Sequence, residues 1–354
     1  MTKIKVLIAD DSAFMRKLLT DIINSDEDME VVAQARNGED ALAKISLYKP
    51  DVVTLDVEMP VMDGLTALER IMQISPLPIV MLSAHTNNGT ISTLKALEIG
   101  AVDFVTKPGG TISPGIVGMN EEIIRKIKTA AKVSIENIGR TFLGNKVVNS
   151  DVEIKQKMPI ALDKPSCLIV IGTSTGGPKA LNEVMSRFTR HHNAAVLIVQ
   201  HMPPGFTKSL AQRLDGSSVY MVKEAENKDE VKAGMAYVAP GNYHMEIKGS
   251  MNNLTIHLNQ SPQVNGHRPS VDVLMQSVAR IQIPKVGVIM TGMGSDGAIG
   301  KKSLKETGSI NIGESDQTCV VYSMPRSAKN MGAIDHEVPL YQIAELIEKT
   351  LTKR

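Results

Sequence analysis

Short apolar runs alternate along this chain with stretches in which apolar residues recur at helical spacing. In the first third the runs are IKVLIA (4–9), MEVVAQA (29–35), DVVTLD (51–56), PIVMLSA (78–84) and VDFVTK (102–107). Between them, segments such as AFMRKLLTDIINS (13–25) and GEDALAKISLY (38–48) place their apolar residues on one helical face. Five apolar strands interleaved with helices predict a parallel, doubly wound sheet, because parallel neighbours need a crossover helix. A (βα)5 domain is therefore expected over residues 1–132. The pattern weakens after Val133: SDVEIKQKMP (150–159) is polar, lacks a sustained period and ends at Pro159. Residues 133–163 read as an interdomain linker.

Alternation resumes at Ser166 with CLIVIG, a helix from Pro178, AAVLIV, a helix near Phe206, then PKVGVIMTG and a helix from Gly297. Residues 164–354 are thus expected to form a second doubly wound α/β domain. Two stretches break its rhythm, YMVKEAENKDEVKAGMAYVAP (220–240) and MEIKGSMNNLTIHLN (245–259). Both read as antiparallel hairpins inserted in that domain.

Composition narrows the function classes. A length of 354 residues suits two domains, and 42% hydrophobic with 22% charged residues is globular. A net charge of +1 gives no field that would favour nucleic acid or an anionic membrane. The two cysteines, Cys167 and Cys319, sit in apolar surroundings without metal-ligand spacing, so buried thiols in a reducing compartment are expected. MTKIKVLIADD enters a strand without a signal peptide, and no apolar run is long enough to span a bilayer. The expected location is the cytoplasm, with no membrane insertion and with a monomer as the functional unit.

Reactive residues follow the strands. In an open parallel sheet, ligands bind outside the carboxyl ends of the strands. Asp10 and Asp11 end the first run, Asp56 the third, Ser83 the fourth and Lys107 the fifth. Clustered carboxylates favour a hard divalent cation such as Mg²⁺. Asp56 is then the natural nucleophile toward a phosphoryl donor, with Lys107 and Ser83 meeting the phosphoryl charge. Any single Asp after a strand is commonly just a helix N-cap, so the joint occurrence carries the reading. DD, then DVEMPVMDG, then SA, then KP resembles the receiver domain of two-component response regulators. The resemblance implies Asp56 as phosphoacceptor, Asp10, Asp11, Asp56 and the Glu58 carbonyl as Mg²⁺ ligands, and Ser83 and Lys107 as switch residues. Phe104 sits where such receivers carry a rotating aromatic; a plain core aromatic is the equal alternative.

In the second half, Gly172–Thr173–Ser174–Thr175–Gly176 fits the G-x-S-x-G turn that exposes a serine between strand and helix. A phosphate-binding loop is the competing reading. Pro178 stands where a Walker loop needs Lys, and the next strand ends in Gln200–His201 rather than an acid. A serine nucleophile needs a base, and of eight histidines only His201 ends a strand of the sheet. Asp296, in MTGMGSDG, is the candidate orienter; Asp272 competes but reads better as a charge in a helix's first turn. Met202, Met290 and Met293 suit either an adaptable substrate surface or plain packing.

The motifs GTSTGG, QHMPPGF, APGNYH, RPSVD and MTGMGSDG, with the receiver and linker, resemble the chemotaxis protein-glutamate methylesterase/protein-glutamine glutaminase family over nearly the whole chain. That family commonly has Ala where Thr173 stands and Asn where Ser295 stands. The resemblance implies Ser174 as nucleophile, His201 as base, Asp296 as its orienter and the Met293 backbone N–H as oxyanion donor, with no metal in the esterase step. It further implies methyl-accepting chemotaxis receptors as substrates and a chemotaxis histidine kinase as phosphodonor. A DNA-binding output is disfavoured by the neutral charge and the strand-rich second half.

Overall fold

The structure is a computed structural model that describes residues 3–84, 86–107, 116–134, 164–190, 193–250 and 253–352. The chain divides into two compact units, Met1–Ser150 and Asp151–Arg354. From residue 135 onward, the linker expected over 133–163 lies outside the described residues, as do His85, His191 and His192.

In the first unit, β1 (Ile4–Ala9), β2 (Met29–Ala35), β3 (Val52–Asp56), β4 (Ile79–Ser83) and β5 (Asp103–Thr106) form one parallel sheet in the order β2-β1-β3-β4-β5. Every side chain of β3 and β4 is buried, as expected of strands covered on both faces. The crossover helices are α1 (Ala13–Asn24), α2 (Gly38–Tyr48), α3 (Gly64–Ile74), α4 (Asn87–Ile99) and α5 (Ile116–Ala130). Short polar residues start the first four, and each accepts the N–H three residues on: Ser12, Asn37, Asp63 and Thr86. Ser12 therefore caps α1, which leaves Asp11 free of that duty.

The second unit carries seven parallel strands: β6 (Cys167–Thr173), β7 (Ala194–Gln200), β8 (Met221–Glu224), β9 (Met235–Val238), β12 (Lys285–Ile289), β13 (Ile310–Glu314) and β14 (His336–Val338). Their order is β14-β13-β12-β6-β7-β9-β8. The chain leaves β6 in one direction and returns to pair β12 on its other side, so the switch point lies between β6 and β12. Helices α6 (Gly177–Arg187), α7 (Phe206–Ser217), α8 (Val271–Ala279), α9 (Ala298–Glu306), α10 (Met324–Asn330) and α11 (Leu340–Thr352) complete the unit.

One expectation fails. Residues 220–240 do not form an antiparallel hairpin: β8 and β9 pair in parallel and extend the main sheet. Their connection is short for a parallel crossover, and the neighbouring hairpin supplies its backbone partners. Lys228 N–H and Val231 N–H donate to Ile256 and Leu254, and Ile256 N–H donates back to Asp229. The second stretch does form the expected hairpin, β10 (His244–Ser250) with β11 (Asn253–Asn259). It is fastened to α8 by the Ile247 N–H donating to Ser277 Oγ at 2.9 Å.

Helix α8 lies tight on β6. A Cβ at Gly172 would stand 2.2 Å from a Val271 methyl, so this approach requires glycine. Among the described residues no helix is long and apolar enough to cross a membrane.

Candidate functional site

The carboxyl edge of the first sheet gathers the residues expected there. The carboxylate oxygens of Asp10, Asp11 and Asp56 come within 4.8 Å of one another. Lys107 bridges two of them, its Nζ 2.8 Å from Asp10 Oδ2 and 2.7 Å from Asp56 Oδ2. Burial pushes the Asp56 carboxyl up to about 6, against the pull of Lys107 and the Glu58 N–H. Burial works against the Lys107 charge too, but its two carboxylate partners outweigh it and hold the ammonium above its usual range.

This donor set fits a hard divalent cation: oxygen ligands only, excess negative charge, and Asp11 on the exposed side. A cavity of about 540 Å³ opens beside it, lined by Asp11, Glu58 and Met59 among others. Ser83 is fully buried; its hydroxyl donates to Gly89 O at 3.2 Å and accepts from Thr93 Oγ1 at 2.6 Å. It is thereby tied to the first turns of α4. Phe104 is buried under Lys126, whose Nζ stands 4.9 Å from the ring centroid.

The second sheet brings Ser174, His201 and Asp296 together at its carboxyl edge. Thr173 pairs with Gln200 across β6 and β7, so Ser174 and His201 are the next residues on adjacent strands. Gly176 turns the chain at φ 78°, where a side chain would be strained, and α6 begins. Gln200 Nε2 ties the two strand ends, donating to Ser174 O at 3.0 Å and His201 O at 3.1 Å. Asp296 enters from the loop between β12 and α9, across the switch point. His201 Nε2 lies 2.8 Å from Asp296 Oδ2, whereas His201 Nδ1 is buried with no hydrogen-bond partner.

Asp296 is saturated with donors. The N–H groups of Val271 and Asp272, at the start of α8, reach it at 2.7 and 3.2 Å. Ser270 Oγ donates at 2.8 Å and Asn265 Nδ2 at 3.4 Å. Burial alone would raise its pKa; His201 and the helix N-terminus outweigh burial and hold the carboxyl well below the ordinary range. Asp272 sits in the first turn of α8, as expected, and accepts the Gly300 N–H of α9 at 2.7 Å. Burial and the nearby Asp296 charge push its carboxyl up. Met202 and Met290 are buried, which favours packing, while Met293 lies part-buried between Thr291 and Asp296.

Some neighbours had no claim in the sequence. His267 stacks on His201, ring centroids 3.8 Å apart and planes within 10°. Thr291 lies under the Ser174 turn: its carbonyl accepts the Ser174 N–H at 3.0 Å and the Thr173 hydroxyl at 2.8 Å. Glu314, fully buried at the end of β13, in turn accepts the Thr291 N–H at 2.8 Å. Burial pushes this carboxyl up to about 7. Glu314 ends an apolar run just as Asp56 does, a signal that was available; His267 carried none.

Fold and sites together define a class: a receiver sheet with an acidic, lysine-bridged edge, joined to a doubly wound sheet carrying serine, histidine and aspartate across its switch point. Comparison with known proteins is more particular. The CheB methylesterase family model matches residues 169–347, and the response regulator receiver domain model matches residues 6–112. The protein-glutamate methylesterase/protein-glutamine glutaminase 1 of Syntrophomonas wolfei is 47% identical over 350 residues, covering 98% of both chains. The Escherichia coli protein-glutamate methylesterase/protein-glutamine glutaminase is 46% identical over 98% of this chain and 96% of its own. The crystal structure of the Thermotoga maritima CheB methylesterase catalytic domain superposes with a TM-score of 0.50 at 42% identity, covering 52% of this chain and 97% of that one. This chain belongs to the CheB methylesterase family.

Proposed function

We propose that the protein is a phosphorylation-controlled serine hydrolase, which removes methyl esters from glutamates, and amide groups from glutamines, of methyl-accepting chemotaxis receptors. The observation that carries the mechanism is the His201–Asp296 pair at 2.8 Å beside Ser174. With Nε2–H donating its hydrogen bond to the Asp296 carboxylate, the ring nitrogen left to act as base is Nδ1. Ser174 Oγ attacks the γ-ester carbonyl carbon while its proton passes to Nδ1. The C=O π pair moves to oxygen, and the Met293 N–H is the proposed donor to that oxyanion. The intermediate collapses, the C–OCH3 bond breaks, and methanol leaves with the Nδ1 proton. Water then attacks the acyl-enzyme by the same route, releasing glutamate and restoring Ser174. A glutamine follows the identical sequence with ammonia as leaving group.

The residue roles in the receiver belong to the same proposal. Asp10, Asp11, Asp56 and the Glu58 carbonyl would hold Mg²⁺, which when bound neutralises charge on a transferring phosphoryl group. Asp56 takes the phosphoryl group, Lys107 leaves its pairing with Asp56 to meet it, and Ser83 donates to a phosphoryl oxygen. Phe104 reads as a core aromatic held by Lys126 as readily as a rotating switch. Domains 1–132 and 164–354, with the linker 133–163, let one restrain the other until Asp56 is modified. The phosphodonor is a chemotaxis histidine kinase, and the protein acts as a monomer in the cytoplasm. The test is methanol release from methylated receptor membranes: the wild type should release it and Ser174→Ala should not. Equal rates would remove Ser174 from the chemistry.

A further inference from the structure

A histidine side chain held at one ring nitrogen retains freedom about its χ2 torsion, which is broad for aromatic rings. Asp296 fixes His201 at Nε2 alone. Proton transfer at Nδ1 needs the ring plane fixed as well, because a lone pair turned away from Ser174 is no base. One short segment supplies that restraint.

Residues Val264–Asn265–Gly266–His267 form a two-residue hairpin, with the Val264 and His267 N–H groups each donating to the other residue's carbonyl at 3.1 and 2.9 Å. Asn265 and Gly266 occupy the left-handed region at φ 52° and 76°, the Asn-Gly turn in its preferred form. The tip is anchored through Asn265 Nδ2, 3.0 Å from Asp272 Oδ2 and 3.4 Å from Asp296 Oδ1. Three residues after His267, Ser270 Oγ reaches Asp296, and the Val271 N–H follows. The same stretch of chain thus grips Asp296 and lays the His267 ring against His201.

We propose that His267 is a positioning residue for the hydrolase. Its ring covers one face of His201 and keeps the imidazole in the plane in which Nε2 meets Asp296 and Nδ1 is held for proton transfer. This inference rests on the reading of His201 as the base. It assigns His267 no proton and no contact with the substrate; its effect passes through the stack.

The test compares His267→Ala with His267→Phe in the full chain activated by acetyl phosphate and Mg²⁺, using methylated receptor membranes. Losing the ring should lower kcat about 10- to 100-fold with KM within about twofold, the size expected of a misplaced base. Phe, which keeps a flat ring and removes both nitrogens, should restore kcat to within about threefold of wild type. The ring-proton NMR signals of His201, assigned by loss in His201→Gln, should shift in the Ala variant and stay near wild type with Phe. Unchanged kcat in His267→Ala would overturn the proposal. So would a Phe variant as slow as Ala, since a polar role would then be at work. Ser174→Ala is assayed alongside: if it retains activity the underlying mechanism fails, whereas an inactive Ser174→Ala with an unaffected His267→Ala sinks only the role of His267.

Discussion

At the edge of the first sheet, Asp56 meets Lys107 at 2.7 Å and the Glu58 N–H, and burial still lifts its carboxyl to about 6. At the edge of the second, Asp296 is just as enclosed, yet two helix N–H groups, Ser270, Asn265 and His201 hold its carboxyl well below the usual range. Both are aspartates at the carboxyl edge of a parallel sheet, Asp56 ending β3 and Asp296 in the loop after β12; the number of donors differs. A carboxylate short of donors keeps lone pairs for an incoming cation or phosphoryl group. One saturated with donors cannot be displaced or protonated, and can only orient its neighbour. The donor count alone distinguishes a carboxylate left open to an incoming group from one already occupied, without reference to sequence motif.

The comparison breaks most visibly if Asp296 proves dispensable. Ser174→Ala, His201→Ala and Asp296→Asn should each reduce methanol release by on the order of 10³-fold or more, and the Ser174–His201 double variant should cost little beyond either single change. Additive losses would mean that the residues do not act as a unit. At the other edge, Asp56→Asn should abolish labelling by a small acyl-phosphate donor in the presence of Mg²⁺. Labelling that persists would move the phosphoacceptor, with Asp11 next in line.

What the sequence disclosed follows from what periodicity can carry. Asp10, Asp56, Ser83, Lys107, Ser174 and His201 each close an apolar run, and a parallel sheet brings run ends to one edge whatever the loops do. Asp296 was found through its own strand, β12. His267 lies in a turn with no period, and its contact with His201 depends on the chain folding back over 65 intervening residues. The parallel pairing of β8 with β9 was hidden for a similar reason: it depends on backbone partners in β11, beyond the reach of any local pattern. Thr291 meets the Ser174 turn through its main-chain carbonyl, which leaves no mark on side-chain hydropathy, whereas Glu314 does close an apolar run.

Smaller effects sharpen the contrast. A fragment starting near Lys164 should release methanol without phosphodonor, about 5- to 150-fold faster than the unphosphorylated full chain, the usual span of coupling between sites. A fragment no faster than that chain would show that the receiver stimulates rather than restrains.

Glu314 offers the mildest test, as a buried carboxyl with few donors and no proposed chemistry. Its carboxyl, raised to about 7, binds a proton in the folded state that the unfolded chain releases near its ordinary 4.5. Stability should therefore fall as pH rises from about 4.5 to 7 and level off above. Glu314→Gln removes that loss and should stabilise the second unit at pH 8 by roughly 2–4 kcal/mol, with little gain at pH 4.5. Thermal melts of variant and wild type at the two pH values check it; equal gains at both would rule out titration as the cause.

The close approach at Gly172 reaches beyond packing. A methyl group there meets Val271, and Val271 offers its own N–H to Asp296. Most aliphatic positions of this sheet can exchange one hydrocarbon for another as sequences drift. Position 172 has no such neutral step, since the smallest change pushes on the helix whose N–H groups hold the Asp296 carboxylate. Evolution would feel that site through turnover as well as through folding, and a scan for heritable loss of adaptation would collect variants there, two residues before Ser174.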